Sequence, residues 1–90
     1  MVRYYHPDGT FKDIVHEGKF SCGELIKIFG GWFTLQYAFT SAKEADYYII
    51  TKELSQTPQE DWPPLNKLVS KKQKKDIYGL AILCPENLVR

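Results

Sequence analysis

Hydrophobic residues in the first half of the chain repeat with the period of a helix and then with that of a strand. Leu25, Ile28 and Phe29 fall on one helical face, which predicts a short amphipathic helix over residues 22–29. Eight residues are too few for a helix that is stable in isolation. Packing must therefore hold this helix, and we expect it to lie on a sheet.

Capping residues mark both ends of the predicted helix. Ser21 and Glu24 have the spacing of a capping box, in which each side chain accepts a hydrogen bond from the other residue's backbone N–H. Phe20 and Leu25 are spaced as a hydrophobic staple. The pair Gly30–Gly31 offers the left-handed conformation that ends a helix. Local sequence therefore predicts both bounds of this element.

Strict alternation replaces helical spacing from Trp32 to Thr40, which predicts a half-buried strand. One face carries large apolar residues, and we expect it to be the core face under the helix. The large residues are Phe33, Leu35, Tyr37 and Phe39, and the opposite face carries Thr34, Gln36, Ala38 and Thr40. A turn over Ser41–Ala45 and a strand over Asp46–Thr51 complete a hairpin.

Turn and strand signals predict the remaining elements. Val2–Val15 is typical of a β-hairpin around His6–Gly9, because proline, aspartate and glycine follow one another as a tight loop requires. Residues 52–65 contain three prolines and are predicted to be mostly loop, after which Asn66 caps a short helix that continues into a lysine run. Asp76–Cys84 is apolar on both faces, as in a central strand that Pro85 ends.

The predicted order is strand, strand, helix, strand, strand, short helix, strand, which indicates a single α+β domain over residues 1–90. We expect a mixed sheet of about five strands with one main helix packed on one face. The same order occurs in β-grasp domains, where the final strand runs beside the first. This likeness is an analogy of element order.

Short motifs along most of the chain resemble those of an uncharacterised family of small phage- and plasmid-encoded domains. In that family a short helix ends in Gly-Gly, a Leu-Pro-x-Asn-like segment follows, and an Asp-Ile-x-Gly-like strand closes the domain. The resemblance is carried by Leu25, Gly30, Gly31, Leu65, Asn66, Asp76, Ile77 and Gly79. The chain departs from the family pattern at two places. It has Thr51–Glu53 where the family has a strand that ends in an Asn-Glu-like turn, and it has two prolines before Leu65 where a Leu-Pro order is usual. The resemblance implies a mobile-element setting, in which small non-enzymatic proteins often sequester a nucleotide signal of host defence or cover a host protein.

Composition and charge narrow the classes of function. The chain is 43% hydrophobic and 14% aromatic, as in a folded domain, and its net charge of +1 gives no general attraction to nucleic acid or to an anionic membrane. Cys22 and Cys84 fit neither a disulfide framework nor a zinc site, so reduced thiols are predicted. No signal peptide or membrane-spanning stretch is recognisable. We therefore expect no membrane partner and a cytoplasmic location, that of the host cell if the protein is phage-encoded.

A lysine run is the strongest candidate for ligand binding, and it consists of Lys71, Lys72, Lys74 and Lys75. Such a run can bind phosphate on nucleic acid or on a small anionic ligand, and it can also simply keep a sheet edge soluble. Nucleic acid is the less favoured partner, because the overall charge is nearly neutral and no recognition motif is present. A phosphate-bearing small ligand is the preferred interpretation.

Trp62 and Trp32 are the candidate stacking residues. Trp62 lies in the proline-rich loop, where a large ring can stack on a base, anchor an interface or fold back over the core. Trp32 follows Gly30–Gly31, where a ligand could approach the backbone closely.

A catalytic or metal site has less support. Cys22 at the start of the helix and His16 upstream form the best nucleophile and base, but no third residue is placed to orient the histidine. His6 and His16 lack the further ligands that a metal ion requires. We therefore predict a non-enzymatic protein without metal or cofactor.

These observations together predict a binding protein of a phage or mobile element that sequesters a nucleotide-derived host defence signal, with the four lysines binding phosphate and either Trp62 or Trp32 stacking on the base. A homo-oligomer could build the pocket between subunits. The alternatives are an interaction module that masks a host defence or nucleic-acid-processing protein, and a nucleic-acid-binding accessory protein.

Overall fold

The computed structural model describes residues 2–38 and 47–89, which form one five-stranded sheet and two α-helices. The strands are β1 (Val2–Tyr5), β2 (Phe11–Ile14), β3 (Phe33–Tyr37), β4 (Tyr47–Lys52) and β5 (Ala81–Pro85). The helices are α1 (Cys22–Phe29) and α2 (Lys67–Gln73), with 3₁₀ turns at Gln59–Asp61 and Glu86–Leu88. The predicted α+β class is confirmed.

The strands lie in the order β2-β1-β5-β4-β3, and each of these pairings is antiparallel. The expectation of a mixed sheet is thereby corrected. β5 does lie beside β1, as the β-grasp analogy suggests, but it runs in the opposite direction. β5 is antiparallel to its neighbours because the segment with α2 returns the chain to the end of the sheet where β4 finishes. β5 therefore starts at that end, with Ala81 opposite Thr51.

The two helices cover opposite faces of the sheet. Leu25 of α1 packs in one buried cluster with Ile82 of β5, and Val69 of α2 packs in a second cluster with Ala81. Ala81 and Ile82 are neighbours in β5 and both are fully buried, because successive strand residues point to opposite faces. The prediction of a central last strand, apolar on both faces, is confirmed.

The predicted ends of α1 are confirmed in detail. The Ser21 hydroxyl accepts a hydrogen bond from the Glu24 N–H at 3.1 Å, and the Glu24 carboxylate accepts one from the Ser21 N–H at 3.4 Å. Gly30 ends the helix in the left-handed conformation, with φ of 70°. The first hairpin is confirmed as well, with Tyr5 opposite Phe11.

The predicted alternation assigns the β3 side chains to the correct faces of the sheet, but the prediction that the whole apolar face is buried is wrong. Phe33 packs against the core beside α1, whereas Leu35 is 42% exposed and Tyr37 is 62% exposed. β3 is an edge strand, and a helix of eight residues is only about 12 Å long, so α1 does not cover its far end. The predicted turn at Ser41–Ala45 and the strand residues Phe39, Thr40 and Asp46 lie outside the described residues.

The strand predicted over Asp76–Cys84 begins only at Ala81. Gly79 has a φ of 78°, and a Cβ placed on it would lie 2.7 Å from Cγ of Pro63. The chain therefore bends at Gly79, and before the bend Tyr78 makes a single bridge with Leu65. Apolar periodicity could not reveal this bend, because it follows from the close approach of the proline-rich loop.

Asn66, the predicted cap of α2, is fully buried and links three parts of the chain. Its Nδ2 donates to the backbone carbonyls of Tyr5 at 3.0 Å and Gly79 at 2.9 Å. Its Oδ1 accepts from the Val69 N–H at 3.3 Å. A buried amide that is satisfied in this way fixes α2 against β1 and the segment before β5.

Candidate functional site

A cleft of about 260 Å³ opens at the end of the sheet where β4 finishes, on the face that α2 covers. We call it the Trp62 cleft. Its lining consists of Thr34, Gln36, Thr51, Lys52, Glu53, Leu54, Trp62, Lys75, Asp76, Ile77 and Tyr78. The volume is near the lower limit of small-molecule pockets, which span roughly 300–1,000 Å³.

The floor of the cleft is polar and comes from the sheet. Thr34 and Thr51 lie opposite each other on β3 and β4, and their hydroxyls are 2.9 Å apart. Gln36 follows on the same face of β3, because side chains two residues apart share a face. Hydroxyl and amide groups of this kind can both donate and accept hydrogen bonds.

Two aromatic rings form one wall of the cleft. The centres of the Trp62 and Tyr78 rings are 4.9 Å apart, and the ring planes are inclined by 58°. The Trp62 Nε1–H donates to the Thr57 carbonyl at 2.9 Å, which anchors the indole in its own loop. Trp62 is thus half-buried, and its ring still reaches the cleft. The Trp62 side chain is therefore held in place by its own loop and at the same time lines the cleft.

Charges of both signs line the mouth of the cleft. Lys75 brings a cation, and Glu53 and Asp76 bring two carboxylates. Lys52 borders the cleft, but it alternates with Thr51 along β4, so its side chain lies on the α1 face, where Cε is 3.9 Å from a Cβ placed on Gly31. The Glu53 carboxylate accepts the Ser55 N–H at 2.8 Å, and this hydrogen bond lowers the pKa of Glu53 below its ordinary range. A mixed set of charges favours a ligand that has both an acidic group and hydrogen-bond donors.

The lysine run is divided between different parts of the surface. Lys75 lines the Trp62 cleft, whereas the Lys72 ammonium lies 5.7 Å from the centre of the Tyr5 ring. Lys74 ends α2 with a left-handed φ of 59°, and Lys71 is exposed in the last turn. Within the described residues, the structure therefore brings only Lys75 of the four together with Trp62 in this cleft.

Trp32 lies apart from the Trp62 cleft, whose lining does not include it. Its side chain is 68% exposed, and its carbonyl accepts the Glu53 N–H at 2.8 Å. The two alternative stacking residues thus lie in different places, because Trp32 immediately precedes β3, whereas Trp62 belongs to the loop between β4 and α2.

A second cleft of about 270 Å³ lies on the α1 side of the same end of the sheet. It is lined by Ile28, Phe29, Lys52, Asp61, Pro63, Tyr78, Gly79 and Leu80. Lys52 and Tyr78 border both clefts. Sequence reasoning missed both residues: Tyr78 is signalled only weakly by the glycine that follows it, and nothing in the sequence marks the lysine at a strand end.

His16, the candidate base considered beside Cys22, makes hydrogen bonds through both ring nitrogens. His16 Nε2 lies 2.7 Å from Glu24 Oε2, and Nδ1 lies 2.9 Å from the Gly18 carbonyl. Both partners are acceptors, so the doubly protonated ring fits best, and the hydrogen bond to Glu24 is the main cause of a raised His16 pKa. Glu24 is the orienting residue that the sequence did not reveal. With both nitrogens engaged, His16 presents no free lone pair to Cys22.

The thiols differ in their surroundings. Cys22 is exposed, and Cys84 is buried in the core below α1, where loss of hydration raises its pKa to about 11. Both are free thiols.

Across residues 2–38 and 47–89, no three histidine, cysteine, aspartate or glutamate side chains are grouped so as to hold a metal ion. No helix in that part of the chain has the length and apolar character to cross a bilayer.

No family model, curated protein or solved structure matches the chain. The resemblance to small phage- and plasmid-encoded domains therefore stays a prediction. The Trp62 cleft is supported by its geometry alone.

Proposed function

We propose that the protein is a non-enzymatic binding protein whose ligand is a small nucleotide-like molecule held in the Trp62 cleft. The observation that carries the proposal is the convergence of a paired aromatic wall, Lys75 and a polar floor on a cavity of about 260 Å³. A flat base stacks on aromatic rings, and stacking is worth about 1–3 kcal/mol per base. A lysine ammonium group favours a phosphate at the mouth.

The mixed charges of the cleft also support a mononucleotide over a plain anion. A phosphate would contact Lys75, and the exocyclic amine of a base could donate to Gln36 or Asp76. Inorganic phosphate would use only Lys75 and would meet two carboxylates without compensation. A ligand with one phosphate and one base therefore fits the lining better than either part alone.

The resemblance to mobile-element domains supports a proposal for the source and cellular location of the protein. We propose that a phage or plasmid encodes the protein, that it acts in the host cytoplasm, and that it withholds a nucleotide-derived defence signal from its receptor. Assembly into a homo-oligomer belongs to the same proposal. Exposed apolar residues on β3 favour, as a second candidate function, a surface that contacts another polypeptide.

Isothermal titration with nucleoside monophosphates, and with the corresponding nucleosides, tests the proposed ligand class. We expect the phosphate to strengthen binding, and Lys75→Gln to weaken it about fivefold, since an exposed charge pair contributes roughly 1 kcal/mol. Lys71→Gln is the matched control, because Lys71 belongs to the same run but does not line the cleft. Equal loss of affinity in both variants, or no binding by the wild type, would contradict the proposal.

A further inference from the structure

The backbone of β3 presents hydrogen-bonding groups to the outside of the sheet. Ala38 N–H donates to the Tyr47 carbonyl at 3.0 Å, and Glu53 N–H donates to the Trp32 carbonyl at 2.8 Å. In an antiparallel pair such bonded positions alternate, so the even-numbered residues of β3 face β4 and the N–H and C=O groups of Phe33, Leu35 and Tyr37 point outwards. Gln73 Nε2 donates to the Tyr37 carbonyl at 3.1 Å, which agrees with this direction.

Within residues 2–38 and 47–89, these outward groups form an edge without charged side chains on its strand. Residues 28–38 carry no charged side chain, whereas the opposite edge strand β2 carries Lys12 and Asp13 at its centre. Charged residues normally keep sheet edges from pairing with another chain. Leu35 and Tyr37 add exposed apolar surface on one face of this edge.

We infer that β3 pairs with β3 of a second copy, antiparallel and with Leu35 opposite Leu35 of the partner subunit. In this two-fold arrangement Phe33 lies opposite Tyr37 of the partner subunit, so apolar side chains meet on one face. Thr34 lies opposite Gln36 of the partner subunit on the other face. The outward groups of Phe33 and Leu35 and the Tyr37 N–H become paired, and the two sheets join into one continuous sheet. The Tyr37 carbonyl already accepts from Gln73 and uses its second lone pair for the N–H of Phe33 of the partner subunit.

A second copy fits this edge because the strand is complementary to itself. Under the two-fold axis each apolar position meets an apolar one, each polar position meets a polar one, and no like charges come together. The contact is limited to a strand of five residues, well below the roughly 800 Å² per partner of a standard stable interface. The dimer therefore dissociates at micromolar concentration and forms as the concentration rises.

The pairing also bears on the Trp62 cleft, because Thr34 and Gln36 line it. Gln36 of the partner subunit extends the polar floor beyond Thr34, and the two clefts lie on the same face of the joined sheet. The inference specifies the interface of the homo-oligomer proposed above, and because it needs no ligand its test can fail separately from the test of ligand binding.

Sedimentation velocity from micromolar to millimolar concentration, without ligand, tests the pairing. We expect a reversible monomer–dimer equilibrium that Leu35→Lys weakens by more than tenfold, because it places two like charges opposite each other. Val15→Lys is the matched control, since Val15 is 77% exposed and lies beyond β2. A monomer throughout the range, or a dimer weakened equally by both variants, overturns the inference.

Amide hydrogen exchange of the wild type provides a second readout that does not depend on a variant folding. In the monomer the Phe33 and Leu35 amides point to solvent and exchange fast, whereas the Thr34 and Gln36 amides are bonded to β4 and exchange slowly. We expect exchange at Phe33 and Leu35 to slow as the dimer forms. Unchanged exchange at both residues while the sedimentation coefficient rises would show a different interface and overturn this one.

Discussion

The Trp62 indole and the Tyr78 ring pack against each other with their centres 4.9 Å apart, and so connect the loop before α2 to the segment after it. The contact is made on the rim of both clefts, since Tyr78 borders each of them. The contact holds the proline-rich loop in position, so that Trp62 forms a wall of the Trp62 cleft. The shape of the candidate site therefore depends on this pair.

Trp62→Phe keeps a ring against Tyr78 but removes the Nε1–H that donates to the Thr57 carbonyl. We expect a loss of about 1 kcal/mol in the free energy of unfolding, measured by urea denaturation, since that is the usual net value of one hydrogen bond. Trp32→Phe is the control, because Trp32 is largely exposed and its change should stay within about 0.5 kcal/mol. Equal losses would show that the indole N–H does not anchor the loop.

The His16–Glu24 pair predicts a dependence of stability on pH. The pKa of His16 is raised above its ordinary value of 6.5, so its contribution is complete below that pH and is lost as pH rises through the raised pKa. The pKa of Glu24 is lowered from 4.5, chiefly by the hydrogen bond to His16, so its contribution is complete above 4.5 and is lost on acidification. The pair should stabilise the fold most between pH 4.5 and 6.5.

Thermal unfolding as a function of pH measures this effect. Glu24→Gln should lower the melting temperature between pH 4.5 and 6.5 and remove the pair's decline on either side of that interval, because the neutral amide can still accept the capping hydrogen bond but no longer favours charged His16. Glu17→Gln, at an exposed position nearby, should leave the wild-type profile intact. A profile that keeps its shape in Glu24→Gln would mean that other groups control the dependence.

Asn66→Ala should be among the most destabilising single changes. It removes three hydrogen bonds and leaves the Tyr5 and Gly79 carbonyls without their amide partner in a buried place. We expect a loss of about 2–4 kcal/mol in the free energy of unfolding. Chemical denaturation measures it, with Asn87→Ala at an exposed position as the control. A loss below about 1 kcal/mol would refute the linking role of Asn66.

Two glycines should respond to alanine with opposite signs. Gly79→Ala adds a Cβ 2.7 Å from Pro63 at a φ of 78°, and we expect a loss of at least about 1–2 kcal/mol. Gly23→Ala lies inside α1 with nothing within 4 Å of the new Cβ, and we expect a gain of about 0.5–1 kcal/mol. Melting temperatures measure both, and a stable Gly79→Ala protein would show that the bend is adaptable.

Local signals in the sequence predicted the elements that local interactions decide. Ser21, Glu24 and Gly30 act within one turn of their own positions, so the ends of α1 were predictable from spacing alone. The exposure of Leu35 was not predictable, because alternation shows which side chains share a face but not how far a helix extends over them. The bend at Gly79 depends on Pro63, which a strand pattern cannot show.

The candidate site was predicted only in part, for a similar reason. Lys75 and Trp62 were singled out as a cation and a stacking ring, and the structure brings them to one cleft. Lys72 comes from the same run, yet the turn of the helix directs it towards Tyr5. Neighbours in sequence on a helix point in different directions, so a charged run does not by itself define one binding surface.

The central claim is that the Trp62 cleft binds a nucleoside monophosphate, and a two-dimensional ¹H–¹⁵N NMR titration tests it most directly. We expect the backbone amide shifts to concentrate at Thr34, Gln36 and Thr51 and at the Trp62 indole N–H, while the exposed Trp32 indole signal stays in place. Shifts spread over Lys71 and Lys72 and absent from the cleft, or no shifts at millimolar ligand, would contradict it.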